Sequence, residues 1–355
     1  MKFPTEKNLQ EFQNDKFDYT SLSEMILNKI LLEMELPNCF GLYGNWGSGK
    51  STILHYIKKH LEGIRGGAQK ILTVHFEPWK YEYSDKKDLL FALLNCIKKE
   101  SKTDNRIWKK LLVDAIAALS GVLRETKIIN MQDTVTDFNI LEKKFFKEHQ
   151  SWIDKIEEFK NDFEKIIKKI LQKRNSSKLI VFIDDLDRCL PENAVKLLES
   201  IKNFLSVEST LFVLAIDRRV ISEMIEKKYG LHDGYGDEYL MKIIPYFFEL
   251  PTVNLKDIVN GILRDHGIRT FTERQSGYII EFLRNNEARE PRVAKYIINQ
   301  FCMNILLVNG VKGEIEQDLK NNTSGRKLEY AFIASFLLTK FPKLFLVTLV
   351  SFFTI

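Results

Sequence analysis

The sequence predicts an α/β fold: a mostly parallel β-sheet flanked by helices, with a helical insertion and a C-terminal helical lid. Two observations indicate this class. The apolar runs Leu179–Ile183 and Leu211–Ile216 are nearly continuous and rich in β-branched residues, as in strands buried on both faces of a parallel sheet. Helical patterns alternate with such runs along the chain, which is typical of parallel strands joined by crossover helices.

The first elements follow from the apolar pattern in chain order. An amphipathic helix at Leu22–Met34 precedes a strand at Cys39–Tyr43. After a glycine-rich loop, a helix is predicted from Lys50 to about residue 61. Strand Ile71–Phe76 and helix Asp88–Ile97 follow, and the charged residues 98–110 are expected to form a solvated connection.

The second half of the chain completes the sheet and then becomes helical. A helix near Glu192–Phe204 separates the two buried strands, and Phe247–Leu250 is a candidate fifth strand that Pro251 closes. Helices are predicted afterwards at Leu255–Asp265, Thr272–Asn285 and Pro291–Val308. The expected division is a core of residues 1–105 and 176–252, an insertion at 106–175, a lid at 253–315 and an apolar segment at 316–355.

A heptad pattern marks the insertion. Between residues 145 and 171 the apolar positions fall at alternating spacings of 4 and 3, with Lys and Glu around them. This seam predicts a long helix that either packs on its own domain or meets a partner helix, including one from a second copy of the chain. Its members are Trp152, Ile156, Phe159, Phe163, Ile166 and Ile170.

Two apolar segments are candidates for contact with lipid. Leu111–Leu123 is shorter than the roughly 20 residues that span a bilayer, so a buried or interfacial helix is expected. The C-terminal stretch Ala331–Ile355 is interrupted by Lys340, Pro342 and Lys343. It predicts a core helix first, and alternatively an interfacial anchor, the start of a longer segment, or a surface shielded by a partner.

Composition narrows the class of protein. With 45% apolar residues the chain can bury a core, which excludes intrinsic disorder. A net charge of +5 is mild and argues only weakly for an acidic partner such as nucleic acid or anionic lipid, because a dedicated DNA-binding protein usually concentrates its excess positive charge on one face. The start of the chain has no apolar signal segment, and the four cysteines lie far apart. These features predict a cytoplasmic protein, with peripheral attachment to the inner membrane as an alternative.

The strongest motif is a phosphate-binding loop that matches G-x-x-x-x-G-K-[ST] in full. It directly follows a predicted strand and opens a predicted helix, which is the context the motif requires. Glycines let the backbone wrap a phosphate chain, while Lys50 would reach the β- and γ-phosphates and the Ser51 hydroxyl would bind Mg²⁺. The predicted nucleotide-binding residues are Gly44, Asn45, Trp46, Gly47, Ser48, Gly49, Lys50, Ser51 and Thr52.

Acidic residues follow the strand at 179–183 in the run LIVFIDDLDR. Asp184 would emerge at the carboxyl end of this strand, where ligands bind in open α/β sheets, and is the predicted Mg²⁺ ligand. Asp185 is a candidate general base for the attacking water. For Asp185 and Asp187 the alternative is turn or helix capping. Arg188 would either pair with these carboxylates or stabilise charge on the γ-phosphate.

Asp217 ends the next apolar strand, in the run AIDRR. Many P-loop ATPases place a polar group there that senses the γ-phosphate. The alternative is an ordinary solvated charge at a strand end.

Together these segments resemble the KAP family of P-loop NTPases over roughly residues 15–300. The similarity lies in the loop GNWGSGKS, in FEPWKY at 76–81, in IDDLDRC at 183–189, in FVLAIDRRVI at 212–221 and in EPRVAK at 290–295. The resemblance implies ATP as the nucleotide, with Mg²⁺. Family members are often associated with membranes, and some bacterial ones act in phage exclusion.

The resemblance also implies roles for two further residues. Arg292 resembles a sensor arginine on the lid, and its alternative is a helix-start residue beside Pro291. Trp79 would pack over the nucleotide region or be a core aromatic. This chain departs from the family in lacking a clear pair of membrane helices in the insertion, and in a missing or short C-terminal effector region.

The predicted function is an ATPase that works as a conformational switch. The alternatives are a scaffold that holds nucleotide without hydrolysing it, a P-loop kinase that would use an arginine-rich lid, and a nucleic-acid remodelling enzyme. The intact loop and paired acids argue against the scaffold, and only the mild positive charge favours the last.

Overall fold

The computed structural model of the chain describes residues 18–63, 70–82, 89–102, 108, 138–230, 232, 234–251, 255–265, 273–286, 293–301, 303 and 332–337. The chain divides into two compact units. The sheet unit comprises residues 23–44 and 53–249, and the second unit comprises 1–22, 45–52 and 250–355.

A five-stranded sheet forms the centre of the sheet unit, in the order β2-β3-β4-β1-β5, and every pairing between its strands is parallel. The predicted fold class is therefore confirmed. Each residue of β4 is buried, as expected for a strand covered on both faces. The strands are β1 (Asn38–Tyr43), β2 (Lys70–Phe76), β3 (Ser176–Asp184), β4 (Thr210–Ile216) and β5 (Tyr246–Glu249).

Helices precede the first strand and connect the parallel strands that follow. Helix α1 continues as a wider π-helical turn, Leu27–Leu31, and α5 does the same at Ile201–Leu205. Short 3₁₀ turns follow β2 and β3 at Pro78–Tyr81 and Leu186–Arg188. The α-helices are α1 (Tyr19–Ile26), α2 (Lys50–Gly63), α3 (Leu89–Ser101), α4 (Phe138–Arg174), α5 (Pro191–Ser200), α6 (Arg218–Tyr229) and α7 (Tyr235–Ile243).

Three helices differ from the sequence prediction. Helix α3 runs to Ser101, so the first residues of the expected connection at 98–110 are helical. Helices α6 and α7 were missed. The signals for α6 were present, because Asp217 caps its N-terminus and Gly230 ends it in the left-handed conformation, with φ of 63°.

The heptad seam of the insertion packs within its own unit over the part whose side chains are described. Phe159, Phe163, Ile166 and Ile170 are all buried in the main core of the sheet unit. This region of α4 lies against β2 and β3, so its apolar stripe is not presented to a partner helix. Trp152 falls outside the residues whose side chains are described.

The second unit has a helical core of its own. It contains α8 (Leu255–Asp265), α9 (Glu273–Asn285) and helical residues at 293–301 and 332–337. Phe332 and Phe336 are buried there and meet the Phe282 ring edge to face, with ring centroids 5.6 and 4.9 Å apart. Residues 332–337 therefore form a core helix, as predicted first for the C-terminal apolar segment.

Within the described ranges, none of the helices is both long and apolar enough to cross a membrane. The predicted apolar segment Leu111–Leu123 and residues 338–355 lie outside these ranges.

A buried lysine fastens the first helix to the sheet. Lys178, in β3, is 8% exposed, and its Nζ donates to the carbonyl oxygens of Leu32 at 2.9 Å and Leu31 at 3.3 Å. These carbonyls lie at the C-terminal end of the first helix, where backbone acceptors lack helical partners. Burial lowers the pKa of Lys178, while the charge of Glu33 opposes the shift. The two hydrogen bonds give these carbonyl oxygens a donor and hold the end of the helix near the amino end of β3.

We expect His75 to make stability depend on pH. His75 stacks on Phe182 at 4.7 Å, and burial, assisted by the charge of Lys58, lowers the pKa of His75 from 6.5 to about 4. The unfolded chain therefore binds a proton that the native state excludes, so stability is complete above pH 6.5 and is lost as pH falls toward 4. The free energy of unfolding should fall by about 1–2 kcal/mol over this range. This is less than the full pKa difference would give, because the side chain is only partly buried and water screens its charge.

Urea unfolding of the wild type and His75→Phe across this pH range measures the effect. Phenylalanine keeps the stacking and cannot titrate, so the variant should show a flatter dependence. An equally steep decline in both proteins would assign the dependence to another group.

Candidate functional site

The loop after β1 has the backbone shape that the motif predicts. Gly47 and Gly49 have φ of 83° and 96°, in the left-handed region that glycine adopts without strain. The loop begins to turn at Asn45, whose carbonyl oxygen accepts the Ser48 N–H at 3.1 Å. Successive amides in such a conformation form a concave, positively polarised surface that binds anions.

Lys50 and Ser48 supply polar atoms within this loop. Lys50 is 8% exposed, and its Nζ donates to the Asn45 carbonyl at 3.1 Å, which folds the side chain back along the loop. Ser48 is 7% exposed, and its buried hydroxyl has no hydrogen-bond partner among the residues that the structure describes. Because an unpaired buried hydroxyl is costly, this atom fits a site that takes a ligand oxygen. Ser51 and Thr52 lie in the first turn of α2, next to Lys50.

Tyr19, from the first turn of α1, holds the loop from outside the motif. Its hydroxyl donates to the Ser48 carbonyl oxygen at 3.0 Å. Its ring lies so near Gly49 that an added Cβ there would be 2.5 Å from the ring. The contact joins residues 29 positions apart, and no local sequence pattern indicates it.

The carboxyl ends of β1, β3 and β4 meet at one edge of the sheet unit. Asp184 is the last residue of β3 and is in register with Ala215 of β4, so Asp217 lies just beyond the same edge. Gly44, which opens the loop, donates its N–H to the Ile216 carbonyl at 3.3 Å. The sheet therefore brings together three of the predicted positions, at the edge where parallel sheets bind ligands.

Asp185 adopts an unusual backbone conformation directly after β3. Its φ is 60° and ψ 27°, a left-handed geometry that aspartate tolerates better than most residues. The Asp184 carboxylate accepts the Asp185 N–H at 3.0 Å, which holds the start of this turn. The Asp185 carboxylate then lies 2.9 Å from the Arg188 guanidinium. The predicted pairing of Arg188 with these acids is therefore present in the structure.

The segment after β2 supports Arg188. The guanidinium carbon lies 5.6 Å from the centre of the Trp79 ring, within cation–π distance. Trp79 is 39% exposed, so it is a surface platform rather than the core aromatic of the alternative interpretation. Glu82 accepts the Leu190 N–H at 3.0 Å and an Asn193 amide hydrogen at 2.9 Å, so its carboxylate caps the start of α5.

Asp187 and Asp217 are connected across the two strand ends. The Asp187 carboxylate accepts the Asp217 N–H at 3.0 Å, and the Asp217 carboxylate accepts the Arg219 N–H at 3.1 Å. The two acids are 4% and 5% exposed. The interpretation of Asp217 as a solvated charge is therefore wrong, because the residue is buried and caps α6. The cross-strand role of Asp187 was missed, since its partner lies 30 residues away.

Arg292 and Pro291 lie outside the described residues, so the lid arginine stays a sequence prediction.

A family model described as the KAP family P-loop domain matches residues 19–304, most of the chain. The chain belongs to the KAP family. It is therefore a nucleotide-binding P-loop domain of the NTPase type, as the sequence motifs predicted.

Comparison of this KAP domain with other proteins gives distant relatives. It is 25% identical over 270 residues to the phage T7 exclusion protein of Escherichia coli K12, and the match covers 71% of this chain and 35% of that protein. It is 29% identical over 169 residues to an uncharacterised protein of Methanocaldococcus jannaschii, covering 39% of this chain and 86% of that one. This chain thus spans about a third of the length of the exclusion protein.

Among solved structures, the ORC2 protein of Aeropyrum pernix, in ADPNP and ADP complexes, aligns with a TM-score of 0.38 and 15% identity. The alignment covers 83% of this KAP chain and 63% of that one.

We expect Gly49→Ala to abolish tight nucleotide binding. The new methyl group would overlap the Tyr19 ring and force alanine into a φ of 96°, so the loop amides would shift. Affinity for a fluorescent ATP analogue should fall at least about 10-fold, since misplaced donors lose their phosphate contacts. Titration by fluorescence anisotropy measures this loss.

Gly277→Ala is the matched control. Gly277 lies in α9, where alanine favours a helix interior. An added Cβ there meets none of the described residues within 4 Å. This variant should bind nucleotide normally and unfold at the same temperature or slightly higher. Equal affinity of the two variants would contradict the role assigned to the loop backbone.

Proposed function

We propose that the chain is an ATPase in which Mg²⁺-dependent hydrolysis drives a conformational switch. The observation that carries the proposal is the complete G-x-x-x-x-G-K-S loop between β1 and α2, together with Asp184 at the carboxyl end of a parallel strand. In P-loop NTPases these two features supply the phosphate cradle and the acidic group for the metal.

The residues present suit ATP and Mg²⁺. The loop offers backbone amides, a buried serine hydroxyl and Lys50 to phosphate oxygens. The Ser51 hydroxyl and the Asp184 carboxylate are hard oxygen ligands, and Mg²⁺ in ATPases is held by one or two such protein groups together with phosphates. When bound, the ion would neutralise charge on the β- and γ-phosphate oxygens.

Asp185 is the proposed general base, and its contacts define what must change for it to act. Its carboxylate is paired with the Arg188 guanidinium. While this pair persists, the negative charge of Asp185 is partly neutralised, so the carboxylate is a weaker base toward water. Arg188 already has a second contact on the Trp79 face. We propose that Arg188 leaves Asp185 and turns its guanidinium toward the γ-phosphate, so that the base is released as the charge on the phosphate develops.

Asp217 and Arg292 complete the proposed site. Asp217 would sense the γ-phosphate from the end of β4, and Arg292 would do so from the lid. Asp217 is buried next to the acidic turn and is not a solvated charge, which favours the sensor role.

Two alternatives remain distinct in their chemistry. A scaffold would bind ATP without releasing phosphate, and a P-loop kinase would release ADP only when an acceptor is added. The paired acids after β3 favour hydrolysis over the scaffold, because a binding loop alone does not need a base.

We expect steady-state phosphate release with Mg²⁺ in the wild type and much slower release in three variants of the site. Lys50→Ala removes the phosphate contact and Asp185→Asn removes the base while keeping the left-handed turn, so each should lower turnover about 100-fold or more. Arg188→Ala should lower kcat by a similar factor without a matching loss of affinity. A coupled assay for released phosphate measures all three.

Asp162→Asn serves as the control, because this residue lies on α4, apart from the phosphate loop and the acidic turn, and its carboxylate pairs with the exposed Lys165. Its turnover should equal that of the wild type. Equal rates in every variant would exclude catalysis at this site, and turnover that requires an added acceptor would favour the kinase.

A role in phage exclusion is proposed from the name of the Escherichia coli relative, of which this chain matches only part. Expression of the wild-type chain in Escherichia coli should reduce the plating efficiency of phage T7, and Lys50→Ala should not. Plaque counts measure the difference, with Asp162→Asn as the active control. Identical counts for the wild type and Lys50→Ala would exclude nucleotide-dependent exclusion by this chain, whether it acts in the cytoplasm or at the inner membrane.

A further inference from the structure

We propose that Asp187 is a positioning residue that sets the place of the sensor Asp217 relative to the acidic turn after β3. The inference rests on the proposed function and adds a residue to it. Asp187 lies in the turn that carries Asp185, yet its carboxylate accepts the backbone N–H of Asp217, at the end of the neighbouring strand.

The burial of Asp187 makes this contact strong. The side chain is 4% exposed, and a buried carboxylate is costly unless hydrogen bonds compensate for its lost water. A backbone N–H that donates to a charged oxygen gives a bond stronger than one between neutral groups. The 3.0 Å bond to Asp217 therefore resists changes in the spacing between the two strand ends.

Asp217 is held from a second side as well. Its own carboxylate accepts the Arg219 N–H and so caps α6. With its N–H bound to Asp187 and its side chain bound to α6, Asp217 has little freedom to move by itself. A displacement of the turn at 184–188 would therefore move Asp217, and with it the start of α6.

Simple capping does not account for this arrangement. A capping aspartate binds the amides of the turn or helix that it begins, whereas this bond reaches a residue 30 positions later on another strand. The geometry couples the strand that carries the proposed metal ligand to the strand that carries the proposed sensor.

A double-mutant cycle tests the coupling. Asp187→Ala should lower kcat about 10- to 100-fold, because a sensor displaced by a fraction of an ångström no longer meets the γ-phosphate, while affinity for ATP changes less than about 2-fold. Asp187→Asn keeps a carbonyl acceptor of the same shape and should recover most of the loss. In an Asp217→Ala background, Asp187→Ala should cost almost nothing more, because the group that it positions is gone.

A structural role alone predicts a different pattern. The losses of kcat from Asp187→Ala and Asp217→Ala would then multiply in the double variant. Alternatively, ATP affinity and thermal stability would fall together with kcat. Either result would overturn the inference. If Asp187→Ala fails to fold, the cycle is run with Asp187→Leu, which fills a similar volume and offers no acceptor to the Asp217 N–H. Normal turnover in that variant would overturn the inference.

Hydrogen exchange of the 210–219 segment gives a readout that needs no turnover. The Asp217 amide should exchange faster in Asp187→Ala, which has no acceptor for it, than in the Asp162→Asn control. Equal rates would show that the bond does not hold in solution. A wild type that releases no phosphate would instead fail the proposed function. The two failures are therefore separable.

Discussion

The position of β4 between β3 and β1 is the constraint on which the candidate site depends. Both pairings are parallel, so the carboxyl ends of the three strands fall at one edge. Tyr43 lies in register with Ile216, and Asp184 with Ala215. A slip of one residue would turn each buried side chain of β4 toward the opposite face. The apolar burial of this strand thus fixes where the loop begins and where the acids emerge.

Hydrogen bonds from backbone amides to carboxylates hold the turns that follow the regular strands. Asp184 accepts the N–H of the next residue, Asp187 that of Asp217, and Glu82 that of Leu190. Each bond fixes a turn that has no sheet or helix ladder of its own. Because the acceptors are charged, these bonds are stronger than those between neutral groups. The acids at this edge therefore shape the site as well as serving its proposed chemistry.

Much of this arrangement was predictable from the sequence because the relevant signals are local. Continuous apolar runs predict the strands β3 and β4, and the spacing of glycines and lysine predicts the phosphate loop. Helix α6 was missed because its residues are mostly polar, although Asp217 and Gly230 bracket it. The contacts of Tyr19 with Ser48 and of Asp187 with Asp217 join residues about 30 positions apart, which no single-sequence pattern can reveal.

Two equally buried lysines differ in role because they lie at opposite ends of helices. Lys50 and Lys178 are both 8% exposed. Lys178 donates to carbonyls at the C-terminal end of the first helix, where the helix dipole is negative, so the cation and its surroundings neutralise each other. Lys50 is the first residue of α2, where the dipole is positive and the loop amides add potential of the same sign. Positive charge concentrated in this way is balanced by an anion, which is the electrostatic reason why a loop of this shape binds phosphate.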